Sequence, residues 1–176
     1  MRDPCVSTAV MSSARLLVYV VREKVGAAVS GHRRVDTKRS AASILVADSS
    51  AQFADLLCHV IRAAGYSAVH RANDSELVWE SLTRKRIDLA VLDLNLGPRT
   101  AAEIVVALRR SAGPSAHVPI IGLTAVIRRP ELNAALLAGI NDVLTKPLSP
   151  DTLLARIDAL LVPQYNELPG PGVISL

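Results

Sequence analysis

A chain of 176 residues that is 50% hydrophobic can pack one domain with extensions, and with 3% aromatic residues its core must be aliphatic. The scarcity of aromatics argues against a stacking platform for single-stranded nucleic acid, and the two cysteines, Cys5 and Cys58, make neither a disulfide framework nor a metal site. The formal net charge of +4 is uneven: residues 1–42 hold eight Lys/Arg against three Asp/Glu, residues 43–162 hold twelve of each, and Glu167 is the only charge beyond.

The basic character therefore belongs to an N-terminal extension, residues 1–42, and the main body is neutral. Within the extension, "SARLLVYVVREKVGAAVSG" places Leu17, Val21 and Val25 on one side of a helix, and "GHRRVDTKRS" reads as a basic linker. Such a segment is either a solvated, loosely ordered arm or a helix that docks on a partner. The apolar run Leu16–Val21 is flanked by Arg15 and Arg22 and has no small-residue cleavage site close behind it, so it is a poor signal peptide. No run approaches the roughly 20 residues of a membrane span. A cytoplasmic location is expected.

From Ser43 the pattern becomes regular. "SILVA" predicts a strand ending at Asp48, followed by a helix with Phe53, Leu56, Leu57, Cys58, Val60, Ile61 and Ala64 inward, stopped by Gly65. "SAVHRA" predicts a second strand. The next helix, over "DSELVWESLTRK", carries Leu77, Val78 and Leu82, with Asn73 or Asp74 as its cap. "IDLAVLDL" is continuously apolar before Asp93, as in a strand covered on both faces. Thr100 then caps a helix that buries Ile104, Val105 and Leu108. "HVPIIGLTA" predicts a strand ending at Thr124, and "PELNAALLAGI" a short helix opened by Pro130 and closed by Gly139. "NDVLTKP" predicts a fifth strand. Ser149-Pro150-Asp151 opens a last helix with Leu153, Leu154, Ile157, Leu160 and Leu161 inward; Pro163 ends it, and 163–176 read as a loose tail.

Five strand–helix units imply an α/β fold: a doubly wound parallel sheet with helices on both faces, over residues 43–162. Ligands of such sheets bind beyond the carboxyl ends of the strands. Those ends carry Asp48 and Ser49, Asp93, Thr124 and Lys146, which are polar residues after apolar runs. Two carboxylates near each other favour a cation between them, and the candidates are the Lys146 ammonium and Mg²⁺. The same cations suit a phosphoryl group on an aspartate, and Thr124 offers it a hydroxyl.

With those residues in place, "ILVADSS", "VLDLNL", "PIIGLTA" and "DVLTKPLSPDTLLARI" resemble, in order and spacing, the landmarks of the two-component response regulator receiver domain, in its single-domain, chemotaxis-regulator-like form. The resemblance implies a flavodoxin-like five-stranded sheet in the order 2-1-3-4-5 with five helices. It implies Asp93 as phosphoacceptor, Lys146 as phosphoryl contact and Thr124 as switch hydroxyl. Asp48, Asp93 and the Asn95 carbonyl become the ligands of Mg²⁺. A histidine kinase or phosphotransfer protein becomes the donor, and a downstream protein, or a second copy of the chain in a homodimer, the recipient of the signal. No enzymatic activity is implied beyond the domain's part in its own phosphorylation and dephosphorylation.

Three positions depart from the family pattern. Ser49 stands where the family has a second acidic residue, a direct Mg²⁺ ligand, so the metal is expected to be weak or lost. Leu96-Gly97-Pro98 replaces the usual Met-Pro turn after the phosphoacceptor. Val143 occupies the place of an aromatic residue that rotates on activation. Ser49 and the altered loop motivate a competing reading, a pseudo-receiver that binds partners without phosphate control. A third reading is anion or nucleotide recognition by the pairs Arg109-Arg110, Arg128-Arg129, Arg33-Arg34 and Lys38-Arg39. His32, His59, His70 and His117 are scattered and form no phosphodonor or metal pattern. Only fourteen residues follow Val162, which points to a single-domain regulator or a fragment of a larger assembly rather than a transcription factor, and nucleic acid is not expected as a partner.

Overall fold

The computed structural model describes residues 41–126 and 128–161. The helix read within 13–31, the basic linker and the tail beyond Pro163 lie outside the described residues. Five units alternate along the chain: β1 (Ser43–Ala47) and α1 (Ala51–Ala63), β2 (Ala68–Ala72) and α2 (Ser75–Arg84), β3 (Leu89–Asp93) and α3 (Ala101–Arg109), β4 (Ile120–Thr124) and α4 (Arg129–Ala138), β5 (Asp142–Thr145) and α5 (Pro150–Leu161). The strands form one parallel sheet in the order β2-β1-β3-β4-β5, the flavodoxin-like order expected.

The helices begin where side chains can replace the missing backbone partners. The Ser50 hydroxyl caps α1 by accepting from the Phe53 N–H, and the Asp74 carboxylate caps α2 by accepting from the Leu77 N–H at 2.8 Å. At α3, Thr100 and Glu103 form a reciprocal capping box. Helix α4 has no side-chain cap and starts with Pro130 in its first turn instead. One helical expectation fails in part. Val78 and Leu82 of α2 are buried, but Leu77 is 43% exposed, because it sits about 100° round the helix from Val78 and outside the stripe that Val78 and Leu82 share.

Alternation along the strands divides the core in two. Ile44 and Val46, Leu89 and Val91, Ile121 and Leu123, and Leu144 pack with Leu57, Cys58 and Ile61 of α1 and Leu153 and Ile157 of α5. Leu45 and Ala47, Ala90 and Leu92, and Ile120 face the other way, against Val78 and Leu82 of α2, Ile104 and Leu108 of α3, and Ala135 of α4. Gly122 lies on this second face, where a Cβ would fall 2.8 Å from Leu94 Cδ2. The absence of a side chain there leaves room for the Leu94 side chain as it lies.

Register and alternation together position the rim. Ala47 is level with Leu92, so Asp48 follows level with Asp93. Continuing the alternation past Val46, Val91 and Leu144 sends Asp48, Asp93 and Lys146 to the α1/α5 side. The same count past Ile120 and Gly122 sends Thr124 to the opposite side.

Candidate functional site

The structure brings three of the sequence-predicted site residues into direct contact. The Lys146 ammonium donates to Asp48 Oδ2 at 2.5 Å and to Asp93 Oδ2 at 2.7 Å. The remaining oxygen of each carboxylate accepts a backbone amide two residues on: the Ser50 N–H to Asp48 Oδ1 at 2.9 Å, and the Asn95 N–H to Asp93 Oδ1 at 3.0 Å. All four carboxylate oxygens are therefore partnered within the chain. Asp48 and Asp93 are buried, at 1% and 8% exposure, where an ion triad is tolerated only if it is well hydrogen-bonded. Burial works against the charge on Lys146, but its hydrogen bonds to Asp48 and Asp93 and their negative charges outweigh it, and the ammonium is held above the ordinary lysine range. The Phe53 ring lies 4.8 Å from Lys146 Nζ and adds its negative face to the same cation.

Thr124 stands apart from this cluster. It is buried at the end of β4, but its hydroxyl donates to the Val126 carbonyl at 2.8 Å and accepts from the Val126 N–H at 3.2 Å. It faces a small cleft walled by Leu94, Val126, Leu132 and Val143. The place where the family pattern has an aromatic residue is thus filled by a short aliphatic one beside Thr124.

The loop after Asp93 is closed on itself. The Ala101 N–H donates to the Leu94 carbonyl at 3.1 Å, Asn95 bridges Thr100, and Gly97 turns the chain at φ +104°. That angle is readily available to glycine, which explains why the turn residue precedes Pro98 here. Arg99 fastens the loop to α2, with its guanidinium 5.2 Å from the Trp79 ring centre and 3.8 Å from Glu76 Oε1.

Ser50, Phe53 and Arg99 were not among the expected site residues. Phe53 reads as a core residue of α1, and its place in the first turn after the β1 carboxylate is the signal that it overhangs the rim. The anion-binding reading loses one of its arginines. The Arg109 guanidinium donates to the carbonyls of Ala116, Val118 and Gly139 at 2.7, 2.8 and 2.9 Å, so it holds the fold together instead of facing solvent. Arg128 pairs with Glu131 at 3.5 Å; Arg33-Arg34 and Lys38-Arg39 lie outside the described residues. His70 bonds the Ser43 hydroxyl at 3.1 Å across β1 and β2.

As a donor set for a hard dication the rim falls short. Besides the Asn95 carbonyl it offers two carboxylates, both already bound to an ammonium, and Ser49 contributes an exposed neutral hydroxyl where the family has an acid. Among the described residues no three His, Cys, Asp or Glu side chains gather into a metal-binding group. The residues present do not fit Mg²⁺ as the family holds it. Also among the described residues, no helix is long and apolar enough to cross a membrane.

Comparison with known proteins assigns the chain. The response regulator receiver domain matches residues 44–158. DNA-binding response regulators MtrA of Mycobacterium bovis and Mycobacterium tuberculosis are 32% identical over 127 residues, 72% of this chain and 53% of theirs. The chain thus spans about half the length of these curated relatives. Since they bind DNA, the expectation that nucleic acid is not a partner gains no support from them. Chemotaxis response regulator CheY4 of Vibrio cholerae is 28% identical with a TM-score of 0.63 over 68% of this chain and 98% of that one. A CheY-like receiver domain protein from Methanospirillum hungatei, at 21% identity and TM-score 0.63 over 68% of this chain and 93% of that one, shares the fold. With the parallel sheet in the order β2-β1-β3-β4-β5 and the landmark residues at its rim, the chain belongs to the response regulator receiver domain family of two-component signalling.

Proposed function

We propose that this chain is a phosphorelay receiver that accepts a phosphoryl group on Asp93 from a histidine kinase or phosphotransfer protein and changes its partner binding in response. The observation that carries the reading is the Lys146 ammonium on Asp93 Oδ2, 2.7 Å away at the carboxyl end of the central strand. An Asp93 carboxylate oxygen attacks the phosphorus of a phosphohistidine, the P–N bond breaks, and the imidazole leaves with the electron pair. The product is an acyl phosphate. Lys146 is close enough to move from the carboxylate to the new phosphoryl oxygens and neutralise part of their charge. The added charge competes with Asp48 for the Lys146 ammonium, which frees Asp48 from its shared cation and alters the loops at the rim. Like receiver domains generally, the chain is a signalling module; its chemistry ends with its own phosphorylation state.

The test is incubation with an acyl-phosphate donor, with and without Mg²⁺, followed by intact-mass measurement. The native chain should gain a phosphoryl mass that the Asp93→Asn chain does not. No gain in the native chain, under conditions that label an intact receiver, would remove phosphorylation from the account. A second reading, a pseudo-receiver whose partner binding ignores phosphate, is favoured by the Thr124 hydroxyl being engaged with Val126 and by Ser49. It predicts that Asp93→Asn leaves partner binding unchanged.

A further inference from the structure

We propose that Lys146 is the resident cation of the rim and that this chain has dispensed with the divalent metal. The inference deepens the receiver reading and concerns the same pocket. Its basis is the bonding of the carboxylates. Each uses one oxygen on Lys146 and the other on a backbone amide, so a dication at Asp48 or Asp93 must share an oxygen with the ammonium or with an amide that already binds it.

Charge points the same way. Asp48, Asp93 and Lys146 sum to one negative charge, whereas an acid at position 49 would bring the rim to two. A single excess charge, already next to a bound ammonium, holds a doubly charged, strongly hydrated ion poorly. Ser49 is exposed and offers only a neutral oxygen. The Phe53 ring meets the Lys146 ammonium from a third side at 4.8 Å, and the lysine side chain is only 20% exposed. In this arrangement the lysine supplies the positive charge at Asp93 that a metal would otherwise share.

The test is a Mg²⁺ titration of the full chain, followed through the backbone amides of Ser50 and Asn95 by heteronuclear NMR, with a NaCl titration at matched ionic strength as control. The amides of the native chain should show no saturable shift beyond that control. Ser49→Asp adds the missing carboxylate and Lys146→Met removes the competing ammonium. Each should create saturable binding at Ser50 and Asn95, with Ser49→Asp binding Mg²⁺ at least about 10- to 100-fold more tightly than the native chain. The dispersion of the same spectra reports whether each variant is folded, and either folded variant suffices. Saturable Mg²⁺ binding by the native chain would overturn the proposal. So would failure of every variant that folds to bind, since the loss of metal would then not reside in Ser49 and Lys146. The titration involves no phosphoryl donor. A native chain that binds Mg²⁺ and is phosphorylated refutes only this inference, and one that does neither refutes only the receiver reading.

Discussion

Asp93 and Asp48 are buried carboxylates that share one lysine, and Lys146 is therefore the residue on which the rim depends. Removing it would leave two buried anions facing each other, which is more costly than losing a surface pair. A second titratable residue tests the sheet away from the rim. Burial lowers the pKa of His70 below the ordinary histidine value, aided by the charges of Lys85 and Arg62. Folding thus favours the neutral ring. Its contribution to stability is complete above about pH 6.5 and declines as pH falls through the lowered native value. Urea unfolding between about pH 7 and about pH 5 should therefore show a steeper loss of stability in the native chain than in His70→Gln. Equal slopes would mean that His70 titrates alike in the folded and unfolded chain.

Among the elements, the connection from α3 to β4 and the end of α4 have an unexpected organiser. Arg109 belongs to α3, yet its guanidinium reaches the carbonyls of Ala116 and Val118 before β4 and of Gly139 after α4. Arg109→Met should cost about 1.5–3 kcal/mol, the range for hydrogen bonds to charged groups. It should also speed amide hydrogen exchange around Gly139 and Ile140 ahead of the β3 amides. Unchanged stability would show that water replaces the guanidinium freely. The sequence pattern could not reveal this role. Arg109-Arg110 reads as a surface pair, and only the turn between α3 and β4 makes one of the two an interior clamp. By contrast, the strand and helix sequence was legible, because four apolar runs ending in polar residues and the helical stripes that alternate with them leave few arrangements open.

At the scale of the molecule, the sheet converts sequence separation into contact. Lys146 is 98 residues from Asp48 and 53 from Asp93, and parallel register with period-two alternation is what brings them together. Asp48, Asp93 and Lys146 were legible as rim residues because each ends an apolar run. The place of Thr124 was less so: the run shows that it ends a strand but not which face it takes, and the count along β4 puts it opposite the triad. Phe53 reads as a core residue in its helical stripe, and only its place in the first turn after Asp48 marks it as overhanging the lysine. The ends of β1, β3 and β5 form one buried pocket in which a single ammonium holds both Asp48 and Asp93. A double-mutant cycle of Asp93→Asn and Lys146→Met, with stability measured by urea unfolding, tests it most directly. The coupling should lie clearly above the roughly 1 kcal/mol ceiling of exposed ion pairs; a coupling near zero would mean that Asp93 and Lys146 do not share a buried pocket.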